Sequence, residues 1–388
     1  MDLAERMSRL GSETAFEVLA AARVREALGH RVIHLEIGEP DFPTPPHIVE
    51  AGIRALRDGA TGYTPAVGIL ELREAIAEQV AETRGITVHP DEVVVTPGGK
   101  PVMFYSLLAV AGEGDEVIYP DPGFPIYDSM IRFVGATPVP IPLREEIDFR
   151  LDVEELLGLI GPRTKLIILN SPCNPTGSVL TRSDMARIAE ACLNRNLMVL
   201  SDEIYSRILY DEEHVSIASF PGMQDKTIIL DGFSKTYAMT GWRLGYGVMN
   251  RELAHHFGKL MINSNSCTAA FTQFAGIEAL RGDQGPTEEM IATFRRRRDR
   301  VVPLLNAIEG VSCRTPRGAF YAFPNISSSG LSAKAFQVKL LEEENVAVLS
   351  GPSFGPHGEG YLRLSYASSI ENLEQGIERI GHIVRSLG

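Results

Sequence analysis

The segment Asp231-Gly232-Phe233-Ser234-Lys235-Thr236-Tyr237-Ala238-Met239-Thr240-Gly241-Trp242-Arg243 sets one lysine beside a hydroxyl, with an arginine close behind. A primary amine can attack an aldehyde and form a Schiff base. A hydroxyl and a planar guanidinium fork suit a phosphate, which arginine grips in a bidentate way. Together they suit an aldehyde that carries a phosphate. A free lysine titrates near ~10.4, so Lys235 must be desolvated or placed near other cations to act as an amine. Arg243 can help with that.

Two further segments supply complementary chemistry. Asp202 closes the apolar run Leu197-Met198-Val199-Leu200. At the carboxyl end of a strand in an α/β sheet it stands where ligands bind, and a buried carboxylate there would stabilise a protonated ring nitrogen. Glu203 alternates to the other side. Val93-Val94-Val95-Thr96-Pro97-Gly98-Gly99-Lys100-Pro101 reads as strand, glycine turn, then a helix with proline at its first position. The amides of Gly99 and Lys100 and the helix dipole would face an anion. Asn170-Ser171-Pro172-Cys173-Asn174-Pro175-Thr176-Gly177 is, alone, turn chemistry.

With Ser201-Asp202-Glu203-Ile204-Tyr205, these segments in this order resemble the class I aminotransferases of the pyridoxal-phosphate fold type I family, and the resemblance covers nearly the whole chain. It implies that pyridoxal 5'-phosphate is the cofactor and that Lys235 is its Schiff-base amine and the proton shuttle. Asp202 would partner the pyridinium, and Asn174 and Tyr205 would contact the ring hydroxyl oxygen. Gly99, Lys100, Ser234 and Arg243 would hold the phosphate. Phe124, in Asp121-Pro122-Gly123-Phe124-Pro125, falls where an aromatic ring covers the cofactor. Aspartate aminotransferases usually place tryptophan there, so phenylalanine keeps the stacking face and loses a donor. Tyr63, in Thr61-Gly62-Tyr63-Thr64-Pro65, matches a tyrosine that reaches the phosphate of the neighbouring subunit, which implies a homodimer with shared active sites.

On the substrate side, Gly38 in Gly38-Glu39-Pro40-Asp41-Phe42 matches the family's glycine loop. Arg363, in Tyr361-Leu362-Arg363-Leu364-Ser365-Tyr366, matches the arginine that binds the α-carboxylate. Ser12, Thr14 and Lys100 align with a distal-carboxylate site in a subgroup of bacterial aspartate aminotransferases. Lys100 could instead serve only the phosphate and Ser12 cap a helix, and Phe16, Phe320 and Tyr321 would suit an alkyl or aromatic side chain. The expected activity is ping-pong amino transfer between an L-amino acid, aspartate or glutamate favoured, and a 2-oxo acid. A β-lyase or another pyridoxal-phosphate enzyme of this fold is the alternative. A non-catalytic effector-sensing module, of the kind fused to transcription regulators, is the remote one.

The elements that must position these residues alternate. The expected strands are Glu92–Thr96, Glu116–Tyr119, Thr137–Pro142, Lys165–Asn170, Leu197–Ser201, Thr227–Asp231 and Leu244–Met249, with helices such as Gly68–Arg84 and Arg182–Asn194 between them. Near-continuous Val/Ile/Leu runs suit a strand buried on both faces. The expected fold is α/β: a mostly parallel seven-stranded sheet covered by helices, spanning 46–284. Residues 285–388 read as a smaller α+β unit: a long helix, short strands at Ala319–Phe323, Ala347–Leu349 and Tyr361–Tyr366, then helices. The resemblance implies that an N-terminal arm, residues 1–45, joins it.

Composition excludes other classes. Of 388 residues, 37 are Lys or Arg and 50 Asp or Glu, for a formal net charge of −13. Such a surface disfavours nucleic acid and anionic membrane. The one basic cluster, Arg295-Arg296-Arg297-Arg298, reads as a solvated helix face. No apolar run approaches the roughly 20 residues of a membrane helix. Met1-Asp2-Leu3-Ala4-Glu5-Arg6 has early acids and no apolar core, so no signal peptide is expected. Cys173, Cys192, Cys267 and Cys313 form no Cys-x-x-Cys pair and read as free thiols in a reducing, cytoplasmic setting. There is no His-Glu-x-x-His, no complete nucleoside-triphosphate loop around Gly98-Gly99-Lys100, and no nucleophile elbow around Ser234. His30 and His34 flank an extended segment, and no metal site is expected.

Overall fold

The computed structural model of the chain describes residues 3–387. Met1, Asp2 and Gly388 lie outside them, so the leader reading and the outermost ends of the two end segments fall partly there. The strands are β1 (Ile33–His34), β2 (Val93–Thr96), β3 (Glu116–Asp121), β4 (Thr137–Pro142), β5 (Thr164–Asn170), β6 (Met198–Asp202), β7 (Thr227–Gly232), β8 (Gly245–Val248), β9 (Tyr321–Ala322), β10 (Val346–Ala347), β11 (Leu349–Ser350) and β12 (Leu362–Ser365).

Seven of them form one sheet in the order β2-β8-β7-β6-β5-β3-β4. The pairs β3–β4, β3–β5, β5–β6 and β6–β7 are parallel, and only β8 runs against its neighbours. The expected mostly parallel seven-stranded α/β sheet is thus observed. Apolar side chains leave both faces in turn. Leu166 and Ile168 of β5 enter one core with Leu200 and Ile228, while Ile167 and Leu169 enter another with Val199. That two-sided burial explains why these strands carry unbroken apolar runs rather than alternation.

Helix ends follow local chemistry. Helix Arg182–Arg195 starts on a capping box between Thr181 and Asp184 and ends at Asn196 in the left-handed region. Helix Leu70–Arg84 stops at Gly85 with φ 66°, where a side chain would be strained. Its start lies two residues later than expected. Helix Lys100–Val110 begins on Lys100, so Pro101 is its second residue rather than its first.

The two chain ends meet. β1 pairs in parallel with β10, and the Leu35 carbonyl accepts from the Ser365 amide (2.8 Å). Antiparallel β11-β12-β9 carries Arg363. Ile33 and Leu35 share a core with Phe294, Phe320 and Ile377.

The reading of the Arg295–Arg298 run is corrected. Arg297 and Arg298 of helix Gly285–Asn306 are buried, and Arg295 and Arg296 face outward. Arg297 forms a bidentate pair with Asp41 (2.6 and 2.7 Å), and Arg298 binds Asp211 (2.6 Å). Burial of a guanidinium is tolerable when its donors are satisfied this way. The four cysteines are free, with Cys173, Cys192 and Cys313 buried. Among the described residues no helix is long and apolar enough to cross a membrane.

Candidate active site

The carboxyl ends of the parallel strands open on a cavity of about 530 Å³. β6 delivers Asp202 and, just beyond it, Tyr205. β7 leads through Gly232 into the short helix Phe233–Thr236, which delivers Ser234 and Lys235. The turn after β2 delivers Gly99 and Lys100, the loop after β3 Phe124, and the loop after β5 Asn174. Gly38, Arg243 and Arg363 complete the wall. Ser12, Thr14 and Tyr63 do not line it. Ser12 is exposed and its hydroxyl donates to Glu17 (2.9 Å) rather than capping the following helix. The Thr14 hydroxyl is buried without a partner, and Tyr63 is 93% exposed.

Electrostatics single out three groups. The Lys235 amine is pushed down to about 8, by burial first and then by the charges of Arg363 and Arg243, with Glu39 and Glu13 opposing. It donates to the Gly38 carbonyl (2.5 Å). The Asp202 carboxyl is raised to about 6 by burial, although the Tyr127 hydroxyl (2.7 Å) and the Ile204 amide stabilise its anion. It is therefore a buried acid that would gain from a cation. The Arg363 guanidinium is buried and shifted down by desolvation. It donates to Asn174 Oδ1 (3.2 Å) and to the Glu36 carbonyl, while its Nε has no partner. It lies over the Tyr321 and Phe354 rings, 4.4 and 4.9 Å from their centres.

The turn after β2 has the free donors an anion cradle needs. Gly98 has φ 87°, and a Cβ there would run into the Arg243 guanidinium. The first helical hydrogen bond runs from the Val102 amide to the Gly99 carbonyl (3.0 Å), so the Gly99 and Lys100 amides precede it. Ser234 is buried and lines the same cavity. A ring with a basic nitrogen, an aldehyde and a phosphate could be held by Asp202, Lys235 and this cradle, and the donor set fits pyridoxal phosphate.

Three contributors escaped the sequence reading. Tyr127 holds Asp202. Glu13 lines the cavity and pairs with Lys100 (2.5 Å). Tyr321, noted only for its apolar ring, bonds the Tyr205 hydroxyl (2.7 Å), and a Cβ at Gly38 would collide with its hydroxyl. None lies in a local motif. The one available signal was position: Glu13 stands between the two residues aligned with a substrate site.

Beneath the site lies a buried ionic network. Arg84 binds Glu203 (2.9 Å), Asp231 (2.5 Å) and Ser206 (3.0 Å), and His214 approaches Glu203 (2.9 Å). Glu203, on the far side from the cavity, thus has a structural partner. Arg84→Met would leave two buried carboxylates without their guanidinium. We expect a loss of about 3–5 kcal/mol in unfolding free energy, read by urea denaturation. A loss under ~1 kcal/mol would mean that the network contributes little.

A mostly parallel sheet with a lysine and a buried acid at its carboxyl edge is the arrangement of an α/β enzyme of fold type I. The family model "Aminotransferase class I and II" matches residues 30–380. An aspartate aminotransferase of Pyrococcus abyssi is 43% identical over 91% of this chain and 92% of its own length. The aromatic-amino-acid aminotransferase 2 of Thermococcus litoralis is 41% identical over 91% and 92%. The structure of Thermus thermophilus aspartate aminotransferase with maleate superposes with a TM-score of 0.95 at 35% identity, covering 99% of this chain and 100% of that one. The chain belongs to the class I and II aminotransferase family and is an aminotransferase, a reading favoured over a lyase or a non-catalytic module.

Proposed function

We propose that this chain is a homodimeric pyridoxal-phosphate aminotransferase that passes the amino group of an L-amino acid to a 2-oxo acid by a ping-pong route. The observation that carries this is the convergence of Lys235, Asp202 and Arg363 on one cavity. Bound pyridoxal phosphate supplies an electron sink. Asp202 holds the proton on the ring nitrogen, and Asn174 and Tyr205 bond the ring hydroxyl oxygen. Gly99, Lys100, Ser234 and Arg243 hold the phosphate, and Phe124 covers the ring. Arg363 grips the α-carboxylate with help from the Gly38 loop. The Lys235 amine moves a proton at the substrate α-carbon, a role worth roughly 10²–10⁴-fold.

Tyr63 is the proposed contact to the partner subunit's phosphate; its near-complete exposure leaves it free to reach across. Residues 46–284 are the proposed large unit, with 1–45 and 285–388 forming the small one. The proposed compartment is the cytoplasm, which suits four unpaired cysteines. Dicarboxylic and aromatic substrates are both proposed, aspartate and glutamate first. Lys100 offers a cation at the cavity wall, and Ser12 and Thr14 flank its partner Glu13 in sequence, while Phe16, Ile37 and Met103 line the cavity with apolar surface. The relatives named for aspartate and for aromatic amino acids support that range.

The test is the visible absorption spectrum of the protein loaded with pyridoxal phosphate, recorded before and after single amino acids are added without an oxo acid. We expect a visible band that aspartate or glutamate bleaches. Bleaching by aromatic or aliphatic donors alone would move the specificity to the apolar wall. A band that no amino acid converts, or release of pyruvate and ammonia from a cysteine-type substrate, would point to a lyase.

A further inference from the structure

The cavity wall holds an internal ion pair. Lys100 Nζ lies 2.5 Å from Glu13 Oε2, with the two side chains 49% and 23% exposed. Glu13 immediately precedes helix Thr14–Ala27, where a side chain would normally bond a first-turn amide. It makes no such bond and turns to Lys100 instead. The same ammonium stands 5.5 Å from the centre of the Phe124 ring. Phe16 and Met103 supply apolar surface beside the pair. The charge of Glu13 is also felt at Lys235 and Arg363, deeper in the cavity.

We propose that Glu13 is a built-in counter-ion that sets substrate class. A neutral aromatic or alkyl side chain leaves the Glu13–Lys100 pair closed, whereas a dicarboxylic substrate must displace Glu13 from Lys100. This rests on the aminotransferase reading above, with Arg363 taking the α-carboxylate. A closed pair presents no net positive charge to an incoming carboxylate. That carboxylate also meets the like charge of Glu13, an arrangement that disfavours binding. An aromatic ring can pack on Phe16 and Met103 without disturbing either ion. Lys100 thus lets the cavity take a second carboxylate, and Glu13 limits how well it does so.

The experiment compares the loaded wild-type enzyme with Glu13→Gln and Glu13→Ala. Calorimetry measures binding of two unreactive carboxylates, succinate and 3-phenylpropanoate, and half-reaction kinetics measure kcat/KM for aspartate and phenylalanine. A close pair at partial exposure is screened, so the succinate to 3-phenylpropanoate affinity ratio is expected to rise about tenfold in either variant. The aspartate to phenylalanine ratio should rise with it, and both gains should shrink at high salt. Wild-type enzyme that binds both ligands, with variants whose ratio stays level or falls, overturns the role of Glu13 alone. Wild-type enzyme that binds neither carboxylate overturns this proposal together with the reading beneath it.

Discussion

Lys235→Ala is expected to lower transaminase turnover by at least about 10²–10⁴-fold and to remove the visible band of the loaded protein. The fold should survive, because the lysine makes one hydrogen bond, to the Gly38 carbonyl, and its removal relieves a partly desolvated cation. A companion measurement concerns pH. Burial and two guanidinium neighbours bring the amine down to about 8, and only the neutral amine is nucleophilic. The rate at which the cofactor-free chain captures pyridoxal phosphate should therefore rise with pH and level off above about 8. A rate still climbing at pH 10 would show an ordinary lysine, and full turnover by Lys235→Ala would remove the proposed mechanism altogether.

The second large effect is expected at Arg363. Its guanidinium is buried against two aromatic rings and keeps an unpaired Nε, so it has a donor to offer in a low-dielectric setting. Losing one partner of a buried charge pair costs about 2–5 kcal/mol, or roughly 30- to 4000-fold in affinity. Arg363→Met should lower kcat/KM for L-amino acids by that factor. Arg363→Lys should restore only part of it, since an ammonium cannot reproduce the planar fork. The discriminating substrate is an amine without a carboxylate. Phenethylamine should react equally slowly with wild type and variant. If the variant loses as much on phenethylamine as on phenylalanine, Arg363 supports the fold rather than the carboxylate.

Much of the architecture was legible because it is local. β5 and β6 announce themselves by short unbroken apolar runs, and two-sided burial gives such runs no other plausible place. Thr181 with Asp184, and Gly85, mark helix ends through bonds and dihedrals that involve only near neighbours. The cavity residues were legible for a different reason. Asp202, Lys235 and the Gly98-Gly99 turn each sit where a strand ends, and strand ends in such sheets face ligands. Boundaries moved by a residue or two, as with Pro101, because the cap geometry rather than the residue type decides where a helix begins.

What stayed hidden was contact between distant segments. Arg297 and Arg298 look like a basic surface stripe until Asp41 and Asp211 are brought against them. Tyr127 acquires its role only when β3 and β6 lie in one sheet and its hydroxyl meets Asp202. Glu13 looks like any acid at a helix start until it faces Lys100. The sequence by itself determined the family, the α/β sheet and the kinds of groups at its carboxyl edge, because periodicity and motif order are properties of neighbouring residues. The tertiary structure alone decided which charges are buried, which tyrosine supports Asp202 and what opposes Lys100, because a charge's behaviour depends on its burial and on partners far away along the chain.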